Sequence, residues 1–287
     1  MKDALFVRGR VTVVGVLNAT PDSFSDGGRF MPVGGALNLD AAVAAGLALV
    51  REGVDVLDVG GESTRPGAAE TPTEIELART VPLIERLAKA TSSPISIDTR
   101  KAVVACAALE AGASVVNDVS GLRFDPALAA LVAERDATLI LGHMRGTPAT
   151  MQDAPWYDDV LEEVAAELEV SVATARAAGI PGERLVIDPG IGFGKRVEDN
   201  LALIANAGWL GQRLGLPVLV GPSRKSFLGK LTGEPAGRRD RATIAACAAA
   251  VFAGADGLRV HDGAAGVLAA RVGLALREAR RPAGVAS

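Results

Sequence analysis

Asp58, Asn117 and Arg259 each stand five residues past a glycine, at Gly53, Gly112 and Gly254, and a short apolar run lies between glycine and polar residue in all three places. A glycine that ends a helix, followed by a buried strand, puts such a side chain near the carboxyl end of that strand. In a parallel barrel this end is the ligand-binding face. Asp98, His143, Asp188 and Ser223 stand at or just beyond the ends of comparable runs. Asp98, Asn117 and Asp188 offer two carboxylates and an amide, whose oxygens accept from the amino group and ring N–H donors on one edge of a flat heterocycle. Purines, pyrimidines and pterins all satisfy that description. Arg259 and His261, with the stretch Gly221 to Phe227, suit an anion: a guanidinium grips phosphate oxygens in pairs and an imidazole adds one more hydrogen bond. The plainer alternative is helix capping, foremost for Asp98, which with Thr99 directly precedes a helical stretch.

Positioning these residues requires eight strands, and eight apolar, β-branched runs begin near Val11, Val54, Ile95, Val115, Thr138, Leu185, Val218 and Gly257. Each precedes a segment able to form a helix, the pattern of parallel strands joined by crossovers. Eight such units in 287 residues predict an α/β fold, a single (β/α)8 TIM barrel occupying one domain, residues 1–287. Val43, Leu47 and Val50 form one helical stripe that Gly53 stops. Thr71, Pro72 and Glu74 read as a capping box opening the next helix, within which Pro82 should cause a bend or an early end. From Asp158, a stripe of Val160, Val164, Leu168, Val172 and Ala175 runs to a stop at Gly179. Long active-site loops are expected after strands 1 and 2. Asn18 to Gly35 and Gly60 to Thr73 exceed simple connections and read as lids that exclude water from the mouth.

Thirty basic residues against 34 acidic ones give a net charge of -4, which argues against a nucleic-acid partner. Hydrophobic residues make up 49% but occur in short runs, none near the roughly 20 needed to span a bilayer. Met1 to Gly9 lacks the pattern of a secretory leader, so a cytoplasmic location is expected. Cys106 and Cys247 lie in Ala-rich helical stretches and read as small core residues. With His143 and His261 the two histidines of the chain, a zinc-dependent hydrolase has no ligand cluster to draw on.

Seven segments, GVLNATPDSFSDGG from Gly15, DVGGESTRPGA from Asp58, SIDT from Ser96, VVNDVSG from Val115, DPGIGFGK from Asp188, GPSRKSFLG from Gly221 and RVHD from Arg259, resemble the dihydropteroate synthases in the right order. That resemblance implies displacement of pyrophosphate from 6-hydroxymethyl-7,8-dihydropterin pyrophosphate by the amine of p-aminobenzoate, in a cytoplasmic homodimer. It implies pterin contacts from Asp98, Asn117, Asp188, Lys225 and Met144. The pyrophosphate would meet Asn18, Thr64, Arg259, Val260 and His261, with Mg²⁺ on Asn18. Thr64, Arg65, Pro66, Phe193, Lys225 and Ser226 would frame the aminobenzoate, its carboxylate taken by Lys225 or a helix start. Asp98, Lys225 and Asp26 are the implied catalytic groups, Asp26 as a partner for the amine. The chain departs from the family pattern at Gly142, before His143 and Met144, and at Glu198 and Asp199, before Asn200. A corrinoid-dependent methyltransferase of the same superfamily would not need the anion residues, and a noncatalytic pterin-binding paralogue would be expected to have lost some of them.

Overall fold

In the computed structural model, which describes residues 4–20 and 37–280, the eight apolar runs become β1 (Thr12–Asn18), β2 (Val56–Gly60), β3 (Ile95–Asp98), β4 (Val115–Asp118), β5 (Thr138–Gly142), β6 (Leu185–Asp188), β7 (Leu219–Val220) and β8 (Gly257–Val260). All pair in parallel, in the order β6-β5-β4-β3-β2-β1-β8-β7. The ring closes between β6 and β7 through one bridge, Ile187 to Val218. The expected barrel is therefore present. Around it lie α1 (Leu39–Glu52), α2 (Thr73–Ala90), α3 (Ala102–Glu110), α4 (Leu128–Glu134), α5 (Val160–Ala177), α6 (Val197–Ala205), α7 (Ala207–Leu214), α8 (Ser226–Thr232), α9 (Asp240–Phe252) and α10 (Gly263–Glu278).

Successive side chains of a strand point to opposite faces, and here both faces are covered, which is why the strands read as nearly continuous apolar runs. Val14, Val56, Val115, Ile140, Val186 and Leu219 turn inward and pack with Phe6. Their neighbours, among them Val13, Leu57, Val116, Leu139, Ile187 and Leu258, pack outward with the helices. Two residues further along, the inward face turns polar. Val56 gives way to Asp58, Val115 to Asn117, Val186 to Asp188, Ser96 to Asp98 and Gly257 to Arg259. Register then aligns Asn18 with Gly60, Gly60 with Asp98, and Asp98 with Asn117, one polar row across four strands with a gap where glycine has no side chain.

Gly53 ends α1 as expected, at φ +94° with its N–H donating to Leu49 and Val50 carbonyls. α5 starts on Asp159, whose carboxylate accepts the Leu161 and Glu162 amides, and buries Val164, Leu168, Val172 and Ala175. The expected capping box at Thr71 does not form: α2 begins at Thr73 after Pro72, with no side-chain cap. Thr71 is occupied elsewhere, its N–H on Glu62 at 2.8 Å and its carbonyl on Lys101 at 2.6 Å. Pro82 does not shorten the helix, which runs through it for 18 residues. Pro82 and Ala78, whose carbonyl it leaves without an amide, are both exposed, so water can serve that oxygen. Cys247 is a buried core residue. Cys106 is not: it is half-buried on α3 against Glu110 and Arg135.

Candidate active site

At the carboxyl end of the strands a cavity of about 390 Å³ opens, a volume suited to a small organic ligand. Asn18, Thr64, Arg65, Pro66, Asp98, Phe193, Lys225, Ser226, Arg259 and His261 line it, so ten of the residues named from the sequence share one wall. They arrive from β1, the loop after β2, β3, the loop after β6, the start of α8 and β8. Gly221, Ser223 and Arg224, from the stretch read as suiting an anion, line it too, and so do Val16, Thr20, Glu62, Ser63, Met151, Gly192, Ala236 and Arg239, which were not singled out as site residues.

Asn117 and Asp188 are not among the lining residues: Asn117 is tied to them through a hydrogen bond to Asp58, and Asp188 through its charge interaction with Lys225 and Arg259. Asp58, fully buried, is the hub: its Oδ2 accepts Arg259 Nε at 2.6 Å and Asn117 Nδ2 at 3.2 Å. Arg259 Nη2 donates to Asp98 Oδ2 at 2.8 Å. The three residues that stand five past a glycine thus meet at Asp58. With Nδ2 committed to Asp58, the amide of Asn117 keeps Oδ1 as its acceptor. Asp58 Oδ1 has no hydrogen-bond partner among the described residues. Asp188 Oδ1 accepts the Gly190 amide at 2.7 Å. Two edges of the Arg259 guanidinium face carboxylates in this state, where the sequence suggested a phosphate.

Burial sets the charges. Asp98 is pushed up to about 7 by desolvation, with Asp58, Glu76 and Glu62 adding to the rise and Arg259 opposing it. Desolvation likewise raises Asp188, against the pull of the Gly190 amide and of Lys225. Lys225 falls to about 8 through burial and then Arg259, while Asp188 and Asp98 hold it up. Its ammonium lies 4.0 Å from the centre of the Phe193 ring. His261 is pushed down to about 3 by burial and by Arg259, Arg224 and Lys225, so the ring is neutral near pH 7. Ser223 Oγ, 3.0 Å from its Nδ1, accepts the His261 backbone N–H; when the hydroxyl donates to Nδ1, Nε2 carries the proton and faces outward as a donor.

Besides Asn117 and Asp188, three more expected residues do not reach the cavity wall. Met144 is buried, and its carbonyl accepts from Arg123. Val260 is buried against α10, where a side chain on Gly266 would strike its Cγ2 at 2.6 Å, so it could offer a ligand only backbone. His143 sits away from the cavity, with Nδ1 2.9 Å from Lys195 Nζ and Nε2 3.0 Å from Glu167 Oε2. Lys195 also donates to the Phe193 carbonyl at 3.0 Å, and Asn200 Oδ1 accepts the Gly192 amide at 2.6 Å, so this layer holds the loop that carries Phe193. Gly142, one of the departures, has no room for a side chain: a Cβ would lie 2.6 Å from Val119 Cα. Asp199, another, closes a capping box with Arg196 at the start of α6. Asp26 lies outside the described residues, as does most of the first lid.

A barrel whose mouth joins buried carboxylates and an amide to a cluster of Arg, Lys and His side chains suits an enzyme that binds a flat heterocycle beside a phosphate-bearing group. The model of the pterin binding enzymes matches residues 14–261. A dihydropteroate synthase of Mycobacterium leprae is 49% identical over 269 residues, covering 91% of this chain and 92% of the relative. The Yersinia pestis dihydropteroate synthase, solved with a sulfonamide drug, superposes with a TM-score of 0.88 at 39% identity over 94% of this chain and 95% of that one. The Xanthomonas albilineans enzyme in complex with 7,8-dihydropteroate gives 0.81 at 44% identity over 95% of both chains. The chain belongs to the pterin binding enzymes and, within them, to the dihydropteroate synthases.

Proposed function

We infer that the chain condenses 6-hydroxymethyl-7,8-dihydropterin pyrophosphate with p-aminobenzoate, releasing 7,8-dihydropteroate and pyrophosphate in folate biosynthesis. The observation that carries this reading is the contact of the acceptor row with the cation cluster through Arg259. Asp98, the Asn117 amide oxygen and Asp188 accept from the pterin edge, and Lys225 donates to the ring system. The amine nitrogen attacks the methylene carbon as the bond from that carbon to the pyrophosphate oxygen breaks, and one amine proton passes to Asp26. Ionised Asp98 offsets the positive charge left on the dihydropterin, while Arg259 and the Nε2–H of His261 meet the charge growing on the leaving group. Thr64, Arg65, Pro66, Phe193 and Ser226 frame the aminobenzoate, with its carboxylate toward Arg65 and Lys225. Asp26 is kept as the group that orients the amine.

Mg²⁺ belongs to the same proposal, and the donor set fits it. Asn18 contributes a neutral oxygen beside the gap at Gly60, where a Cβ would lie 3.7 Å from Asn18 Oδ1. Among the described residues there is no group of three or more His, Cys, Asp or Glu able to hold a metal. One protein oxygen suits an ion carried mainly by substrate phosphates, and such an ion would neutralise pyrophosphate charge. We also propose a one-domain, cytoplasmic homodimer. Exposed Leu268, Val272 and Leu276 form a stripe on α10 that supports self-association, and among the described residues no helix is long and apolar enough to cross a membrane.

The test is pyrophosphate release. It should require both substrates and Mg²⁺, and a sulfonamide should inhibit it competitively with p-aminobenzoate. Release from the pterin substrate alone, or an unchanged rate in Asp98→Asn and Arg259→Ala, refutes the assignment.

A further inference from the structure

Outside the catalytic groups, a set of four buried charges lies under the root of the second loop. Glu62 Oε2 accepts Arg100 Nη2 at 2.8 Å and Nε at 3.2 Å, and its Oε1 accepts the Thr71 amide at 2.8 Å and Lys101 Nζ at 3.2 Å. Lys101 Nζ also donates to the Thr71 carbonyl at 2.6 Å and Glu76 Oε2 at 2.8 Å, which uses all three of its protons. The side chains of Glu62, Glu76, Arg100 and Lys101 are 3%, 0%, 5% and 7% exposed, and two acids face two bases. A buried ion pair adds little stability over an apolar pair of the same shape, so its best-attested use is to fix one arrangement among several.

What this arrangement fixes is the loop. Glu62 opens it and Thr71 closes it nine residues later, and both are held by the same ammonium and carboxylate. The root has no slack, since a Cβ on Gly61 would lie 2.7 Å from Thr80 Cγ2. Arg100 and Lys101 follow Asp98 and Thr99 without a gap, so the strand end that carries the pterin-reading acid also carries the cations that hold the loop.

We propose that Glu62, Glu76, Arg100 and Lys101 are positioning residues: a buried ionic clamp that sets the second loop so that Thr64, Arg65 and Pro66 meet the aminobenzoate. This rests on the reading of those three residues given above. Lys101→Met in the full chain should speed backbone hydrogen exchange across residues 62–71 by about tenfold while the barrel strands stay protected. It should raise KM for p-aminobenzoate by roughly tenfold and leave KM for the pterin substrate within about twofold. Glu62→Gln, which keeps an acceptor for the Thr71 amide but loses the charge, should give an intermediate effect, and the double variant should fall short of the sum. Should Lys101→Met fail to fold, Glu62→Gln carries the same test. Unchanged exchange at residues 62–71 overturns the clamp, and so does faster exchange with an unmoved aminobenzoate KM. Arg65→Ala tests the underlying reading separately: an unmoved KM there removes the loop from the aminobenzoate site, whatever the exchange data show.

Discussion

Asp98 should give pterin binding a pH dependence that Arg259 controls. A ring edge made of donors needs an ionised acceptor, and the Asp98 carboxyl titrates at about 7 in the unliganded protein. Apparent affinity for 6-hydroxymethylpterin should therefore be about tenfold weaker at pH 6 than at pH 8, since only the ionised fraction binds. Arg259 donates to this carboxylate at 2.8 Å. Removing a cation at such range raises a carboxyl midpoint by about one to three pH units. In Arg259→Met, even the lower figure makes protonation alone weaken binding about fivefold at pH 7, and this part of the loss should vanish above about pH 9. Calorimetric titration from pH 5.5 to 9, corrected for titration of the ligand itself, would measure both midpoints. Asp98→Asn should bind weakly with no dependence of this kind. A wild-type profile flat between pH 6 and 8, or a midpoint that Arg259→Met leaves in place, would refute the argument.

Other outcomes follow from neighbouring contacts. Asp58→Ala strips the shared acceptor from Arg259 and Asn117, and calorimetry should show pterin binding weakened by about 1.5–3 kcal/mol. Gly142→Ala forces a methyl group to within 2.6 Å of Val119 Cα and should lower the melting temperature, at a cost of about 1–3 kcal/mol, with no direct effect on substrate contacts. His143 is held at about 4 by burial and Lys195, below its ordinary 6.5. Between those values the unfolded chain binds the extra proton, so stability should fall as pH drops from 6.5 to 4 and level off below, by about 3 kcal/mol from this residue. Denaturant melts of His143→Gln, whose amide can both donate to Glu167 and accept from Lys195, should show a shallower loss across that window.

The strand starts were legible because burial on both faces leaves a run of apolar residues bounded by glycine, and that pattern is local. For the same reason Asp58, Asn117 and Arg259 could be placed at one rim. What they do to one another was not legible. The Asp58 to Arg259 contact joins residues 201 positions apart, and nothing in either neighbourhood marks the pairing. Glu62 left a fainter mark, as a charge inside the segment that starts at Asp58, and Arg100 and Lys101 directly follow the segment that ends at Thr99, yet their partners emerged only with the geometry. The capping signal at Thr71 failed on the same ground: a local preference yielded to tertiary contacts that consumed both of the residue's backbone groups.

The single bridge between β6 and β7 carries one more implication. Every other neighbouring pair of strands shares a ladder, whereas this pair meets at Ile187 and Val218 alone. A wall held unevenly parts at its thinnest join, so partial unfolding should begin along that line, with the stretch after β7 leaving first. That stretch bears Lys225 and Ser226, and heating should therefore abolish turnover several degrees before the remaining staves come apart.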